Sequence, residues 1–287
     1  MSRSRRASFI IVTASYVVAT LVGVLVFLAA ASWPVLARLG IAEAAATIVI
    51  YLISLIVRNA SVYDPYWSVA PIVVCVGVVA LRPLTVGAVL LVIVVTFWGV
   101  RLTANWAATF SNLTHQDWRY DLIQRRHPRL FPLICLVGIM GFPSLVIYLV
   151  TAPAVVFLQA SGLTWITVVG LIVSLGATTM QLVADRQLRR FRASHAVGSG
   201  LIREGLWRHS RHPNYLAEIL MWWGVWLVMM STSPSWWFLA VGPAVNTAMF
   251  WFVSIPMADN RNRERHDDYD VYYAQTRALL PFRRGCH

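Results

Sequence analysis

The sequence predicts an all-α fold, a polytopic membrane helix bundle of about eight transmembrane helices, organised as a single integral membrane domain over residues 1–287. Three observations lead there. Hydrophobic residues make up 58% of the chain and mean hydropathy is +0.64, more apolar sequence than a soluble domain of this length buries. The apolar residues fall into windows of roughly 17 to 25 residues, the length that spans a bilayer. The positive charge that interrupts them is all arginine and sits mainly between alternate windows.

Eight windows qualify: 9–31, 41–57, 66–81, 84–104, 131–158, 163–184, 215–232 and 236–256. The first follows Arg3, Arg5 and Arg6 and runs to Ala29-Ala-Ala-Ser32, which imitates a secretory signal. It is too long for a signal's apolar core, so an uncleaved first span is expected. Ser4-Arg-Arg-Ala-Ser-Phe9 brushes the twin-arginine pattern, but arginines before a first span are expected anyway. The 66–81 window is the shortest. The 131–158 window is long and contains Pro143 and Pro153, so a kinked or split helix is expected there. Trp222, Trp223, Trp226, Trp236 and Trp237 suit interfacial belts or a packed bundle.

Arginine placement sets an orientation. With the N-terminus inside, 22 of the 24 basic residues, all arginine, fall on the cytoplasmic side, and only Arg38 and Arg82 fall outside. Such a bias supports an even number of spans with both termini cytoplasmic. The net charge of +12 is therefore divided among loops beside the membrane, which fits anionic headgroups or a polyanionic cofactor better than nucleic acid. Cys75, Cys135 and Cys286 are far apart, and buried thiols are expected rather than a disulfide framework or a metal cluster.

The polar density lies in three blocks, His115–Arg129, Asp185–Tyr215 and Asp259–Pro281. An arginine-rich pocket suits phosphate, because the guanidinium fork pairs with phosphate oxygens. Gly198-Ser-Gly200 with Gly205 misses the dinucleotide glycine spacing, and no strand precedes it. A nucleotide would have to be held by side chains between helices. Asp185, Arg189 and Arg192 share one helical face; they are either an ion pair with a basic flank or a carboxylate and arginines for ribose and phosphate. His209 and His212 have no further ligands to complete a metal site, and none is expected.

Two carboxylates stand out. Glu218 lies within the apolar run after Gly205-Leu-Trp-Arg-His-Ser-Arg-His-Pro-Asn-Tyr-Leu-Ala-Glu218. An ionisable residue in a span is a functional candidate; the alternative, an interfacial anchor, requires neither the Asn nor the Glu. Asp64 precedes a span beside Tyr63, Pro65, Tyr66 and Trp67. Pro65 disfavours a helical backbone at Asp64, which suits a turn or helix entry. It reads either as an N-cap or as a partly buried acid.

The long motif closely resembles the signature of the steroid 5α-reductase superfamily, and within it the bacterial branch known as DUF1295. Asp64-Pro-Tyr-Trp67, Asp117-Trp-Arg-Tyr120, Asp185-Arg-Gln187, Tyr269-Asp-Val-Tyr272, Thr276 and Leu280-Pro281 belong to the same resemblance, which covers about residues 58–283. It implies a membrane reductase, NADPH-dependent, acting on an activated carbon–carbon double bond in a lipophilic substrate such as a steroid or isoprenoid. By that resemblance Asn214 and Glu218 hold the nicotinamide carboxamide. Asp185, Arg192 and Arg211 contact ribose and phosphates, and Tyr272 and Thr276 close the C-terminal side. Arg189, Arg208, His212, Tyr215 and Arg265 complete the expected cofactor set. Asp64 stands at the family's substrate-polarising glutamate, judged by its spacing to Arg101. The expected catalytic residues are Asp64, Tyr66 and Glu218.

One departure is Trp98, where steroid reductases carry a tyrosine three residues before that arginine. The enone oxygen needs a donor as hydride arrives; Tyr63, Tyr66, Tyr120 and a protonated Asp64 are the candidates. The alternatives are an S-adenosylmethionine-dependent membrane methyltransferase, which has less negative charge to neutralise, and a non-catalytic membrane scaffold. The expected partners are membrane lipids and a lipophilic small molecule, with no nucleic acid and no obligate protein partner. The expected location is a bacterial inner membrane.

Overall fold

The computed structural model describes residues 4–160, 162–194 and 200–279. Arg3, Gly198, Leu280, Pro281, Arg283, Arg284 and Cys286, which entered the sequence argument, lie outside the described residues. All regular structure among the described residues is helical. Seven helical stretches are long and apolar enough to cross a membrane: Arg5–Ala29, Val35–Val57, Ala60–Ala80, Val86–Thr109, Phe131–Ala160, Trp165–Ser194 and Pro234–Arg263. An eighth apolar helix, Pro213–Met230, carries Asn214 and Glu218 in its first two turns, which lowers its apolar content. The chain is thus an all-α polytopic bundle of about eight helices.

Contacts divide the chain into two compact units, Met1–Pro83 with Trp98–Gln159, and Leu84–Phe97 with Ala160–His287. In the first, α1 (Arg5–Ala29) starts where the Ser4 hydroxyl accepts the Ala7 N–H at 3.1 Å, and it packs on α2 (Val35–Val57). α2 ends at Arg58, whose left-handed φ of 58° turns the chain out of the helix. Asn59 then caps a 3₁₀ turn, Ala60–Tyr63, by accepting from Ser61 N at 2.8 Å. The Asn59 amide also donates to the Leu113 carbonyl at 2.8 Å, and Ala60 N donates to Gln116 Oε1 at 2.8 Å. The turn is therefore pinned by the loop before α5.

α3 (Tyr66–Ala80) follows directly. The expectation that Pro65 keeps Asp64 out of the helical region fails: Asp64 has φ −50° and ψ −45°. Its backbone N–H donates to Ser61 O at 3.2 Å, so the 3₁₀ turn overrides the local steric preference. Pro65, not Asp64, stands at the N-cap of α3, which removes the capping role for Asp64.

α4 (Val86–Thr109) contributes to both units. α5 (Trp118–Arg126) was not expected from hydropathy; its Asp117 cap accepts from Arg119 N at 2.9 Å. The 131–158 window is interrupted just before Pro143, whereas Pro153 stays inside a continuous α-helix. α6 (Phe131–Ile134) runs through a π-helical segment, Cys135–Gly141, into α7 (Phe142–Ala160), with Pro143 in the first turn of α7. A π segment at this point absorbs the carbonyl that the proline ring displaces. Cys75 and Cys135 are free, buried thiols.

The second unit is built on α8 (Trp165–Ser194) and α9 (Pro213–Met230). Small residues let the two backbones approach. A Cβ on Gly170 would sit 2.8 Å from the Gly224 carbonyl, and one on Gly224 would sit 2.9 Å from the Gly170 carbonyl, so only glycine fits this crossing. Ser174 Oγ donates to Met221 O at 3.1 Å and Thr167 Oγ1 pairs with Ser231 Oγ at 2.7 Å across the same seam. After a 3₁₀ segment, Pro234–Ala240, come α10 (Val241–Met249), a π segment, Phe250–Ser254, and α11 (Ile255–Arg263). α12 (Tyr269–Gln275) closes the described chain. The last window therefore ends seven residues later than hydropathy alone places it, at Arg263.

Candidate functional site

In the second unit the long sequence motif is folded onto α8 before it enters α9. Gly205 takes φ +56° against Gln187, whose Oε1 accepts Leu206 N at 3.0 Å. Trp207 Nε1 donates to Ala184 O at 3.1 Å. Ser210, Arg211 and His212 then run beside the C-terminal segment: Arg211 N donates to Arg277 O and His212 N to Ala278 O, each at 3.0 Å. Pro213 opens α9 at a position where a missing N–H costs nothing.

Asp259 of α11 is the centre of this arrangement and is 4% exposed. It takes Arg211 Nη2 at 3.0 Å, His212 Nε2 at 2.7 Å and the Tyr269 hydroxyl. Arg211 also donates to the Thr276 carbonyl and to Tyr273 O at 3.3 Å, with its guanidinium 4.0 Å over the Tyr273 ring. The Tyr272 hydroxyl donates to Trp207 O at 2.5 Å. Burial raises the Tyr269 phenol above its ordinary pKa, and the Asp259 carboxylate raises it further; burial likewise raises Tyr272. Both remain phenols at neutral pH. A cleft of about 520 Å³ lies beside this hub, lined by Arg211, Asp259, Asn260, Arg263, Tyr273 and Arg277 among others.

Glu218 stands further into α9 and is 2% exposed. Gln181 Nε2 of α8 donates to its Oε2 at 2.9 Å, and Trp222 Nε1, one turn on, donates to its Oε1 at 3.1 Å. The close glycine crossing of α8 on α9 sets this geometry. One turn before Glu218, Asn214 Oδ1 is buried without a hydrogen-bond partner among the described residues, and Gln181 Oε1 is in the same state. Buried amide oxygens normally have a donor. The pair therefore offers acceptors for an amide ligand.

Of the residues expected to hold cofactor, Arg211, His212, Tyr272 and Thr276 meet around Asp259, and Tyr215 stacks on His212 with ring centroids 5.2 Å apart. Asp185 is buried on α8 in line with Arg189 and Arg192. Arg192, Arg208 and Arg265 are exposed. Arg211, expected on a phosphate, has its whole fork engaged by Asp259 and C-terminal carbonyls.

The first unit brings together two other motifs. The Tyr120 hydroxyl donates to Asp64 Oδ1 at 3.0 Å. Ser61 Oγ accepts Asp117 N at 2.9 Å and donates to Asp64. Burial and the neighbouring Asp64 raise the Tyr120 phenol above its ordinary pKa. Tyr66 turns elsewhere: its ring stacks on Tyr63 at 5.1 Å, and it lines a cavity together with Glu43. Tyr63 OH and Thr47 Oγ1 each lie 2.8 Å from Ser144 Oγ. Among the three candidate tyrosines, Tyr120 is the one bonded to Asp64. Trp98 is fully buried and Arg101 nearly so.

The sequence motifs gave no role to Asp259 or Glu43. Glu43 falls inside the 41–57 window, where a carboxylate within a span was the available signal, whereas Asp259 falls beyond the 236–256 window.

Fold and polar clusters together define a polytopic helical membrane protein with a hydrogen-bonded carboxylate in each unit, half-buried at Asp64 in the first and buried at Asp259 and Glu218 in the second. The chain belongs to the family described as Protein of unknown function (DUF1295), whose family model matches residues 50–276. It is similar to the uncharacterized protein C594.04c of Schizosaccharomyces pombe, 23% identical over 273 residues, covering 83% of this chain and 77% of that protein. No solved structure matches it.

Proposed function

We propose that the chain is a membrane-embedded, NADPH-dependent reductase of an activated carbon–carbon double bond in a lipophilic substrate such as a steroid or isoprenoid, related to the steroid 5α-reductases. The observation that carries this reading is the pair of unpartnered amide oxygens, Asn214 Oδ1 and Gln181 Oε1, beside the buried Glu218 carboxylate. A nicotinamide carboxamide has the N–H donors to satisfy them. The residues present therefore fit the nicotinamide end of the cofactor. They fit the phosphate end differently from the sequence expectation, because Arg211 is engaged by Asp259; the exposed Arg192, Arg208 and Arg265 are the arginines assigned to phosphates.

NADPH, when bound, supplies the hydride. Gln181 and Trp222 fix the Glu218 carboxylate, so the carboxamide meets a preset acceptor. Asp64, oriented by Tyr120 and Ser61, polarises the substrate carbonyl, and Tyr66 is the further catalytic candidate. The arginine distribution supports both termini in the cytoplasm of a bacterial cell, with the protein in the inner membrane.

The test is a fluorescence titration of full-length protein with NADPH and, separately, a binding assay with S-adenosylmethionine. Saturable NADPH binding that Asn214→Ala weakens by about tenfold or more supports the reading. Binding of S-adenosylmethionine alone points to the methyltransferase, and binding of neither points to a scaffold.

A further inference from the structure

A second feature lies wholly within the first unit. A partly open cavity of about 260 Å³ lies between α1, α2 and α3. Its walls are almost entirely aliphatic, with Gly23, Ala42, Gly77 and Val78 giving the room. At one place the lining turns polar: Tyr16, Glu43 and Tyr66. Glu43 is only 8% exposed, and its Oε1 has no hydrogen-bond partner among the described residues. Tyr66, stacked on Tyr63, lines the cavity with Glu43. A carboxyl oxygen left alone inside an apolar span calls for a partner.

The lining also says what the partner is not. No Arg, Lys or His is among the cavity's described lining residues, so an anionic headgroup would meet a carboxyl and no cation. The volume exceeds the roughly 150 Å³ apolar cavity that admits benzene and falls below the roughly 300–1,000 Å³ of a drug-sized site, which suits a chain or fused rings of about ten carbons.

We infer that this cavity binds an uncharged lipid with a single oxygen headgroup, a ketone or an alcohol, whose oxygen accepts a hydrogen bond from the Glu43 carboxylic acid, kept neutral by its apolar surroundings, and whose hydrocarbon fills the space between α1, α2 and α3. Glu43 is the selecting residue. Asp64, which the reductase reading sets against the substrate carbonyl, is not among the lining residues, so this binding does not rest on that reading.

The experiment uses full-length protein in lipid nanodiscs without cofactor. Saturable retention of radiolabelled decan-2-one, 1-decanol, decane, decanoic acid and decylamine is measured above that of protein-free nanodiscs. Decan-2-one and 1-decanol are expected to bind saturably, with decane and decanoic acid weaker by about tenfold or more. Glu43→Leu brings decan-2-one down to the level of decane. Gly77→Phe abolishes saturable retention while the protein stays folded, because a Cβ there meets nothing within 4 Å and the ring is placed in the cavity that Gly77 lines. Equal retention of decane and decan-2-one by the wild type, tighter binding of decylamine, or unchanged retention in Gly77→Phe overturns the inference. Should Glu43→Leu not fold, the wild-type series and Gly77→Phe still decide it. Loss of the lipid result with NADPH binding intact would remove the cavity inference and leave the reductase reading standing; the opposite pattern would do the reverse.

Discussion

Arg211 and Asp259 form a buried ion pair, Nη2 to Oδ2 at 3.0 Å, between the entry of α9 and the middle of α11. Removing one member of such a pair leaves the other charge buried and alone. Asp259→Ala is therefore expected to destabilise the protein by about 3–5 kcal/mol. Thermal melting in detergent checks it; an unchanged melting temperature would show that the hub does not hold the unit together.

Asn214→Ala and Glu218→Gln are expected to weaken NADPH binding without unfolding the protein. Glu218→Gln sets an NH₂ group against the N–H donors of Gln181 or Trp222 and so disturbs the acceptor that orients the carboxamide. A changed melting temperature with unchanged NADPH affinity would make Glu218 a structural residue only.

NADPH is expected to bind more tightly than NADH by roughly 1.5–3 kcal/mol, the range for a hydrogen bond to a charged group. The 2′-phosphate adds one contact to the exposed arginines of the second unit. Parallel titrations that give equal affinities would contradict it.

Asp64→Asn is expected to slow turnover by roughly 10²–10⁴, the range for a lost general acid, with NADPH binding intact. Its helical backbone and the N-cap position of Pro65 exclude the capping role that would have made this change silent. Tyr120→Phe removes the hydroxyl on Asp64 and should slow turnover in the same direction. Near-wild-type rates for both variants, once a substrate is in hand, would take this pair out of the mechanism.

Reporter fusions at residues 35, 82, 160 and 234 are expected to place all four loops outside, with residue 200 inside, from the 22-to-2 division of arginines. Residues 160 and 200 on one side would sink that topology.

What was legible in the sequence follows from the range of the interactions involved. Hydropathy sees about twenty residues at a time, so it found the spans, and Pro143 marked the interruption at Cys135–Gly141, while Pro153 marked none. It could not see α5, a polar helix of nine residues fixed by its Asp117 cap. Asp64 and Tyr120 were each noticed within a motif, but their hydrogen bond joins residues 56 apart. Asp259 reaches its partners across 47 and 48 positions, and no local pattern announces that. Glu43 is the lone carboxylate of α2, among alanines and isoleucines, too dilute to disturb a hydropathy average.

The carbonyls that hold Arg211 and His212 belong to Thr276, Arg277 and Ala278, some 65 residues downstream and close to the end of the described chain. During synthesis these residues are still inside the ribosome when α8 and α9 have already emerged. The two helices can pair through their glycine seam as they leave the exit tunnel, but the turn that leads into α9 stays unlatched until Thr276, Arg277 and Ala278 have emerged as well. A protein stalled or truncated before Thr276 would therefore carry the spans, insert them, and still lack the finished entry to α9.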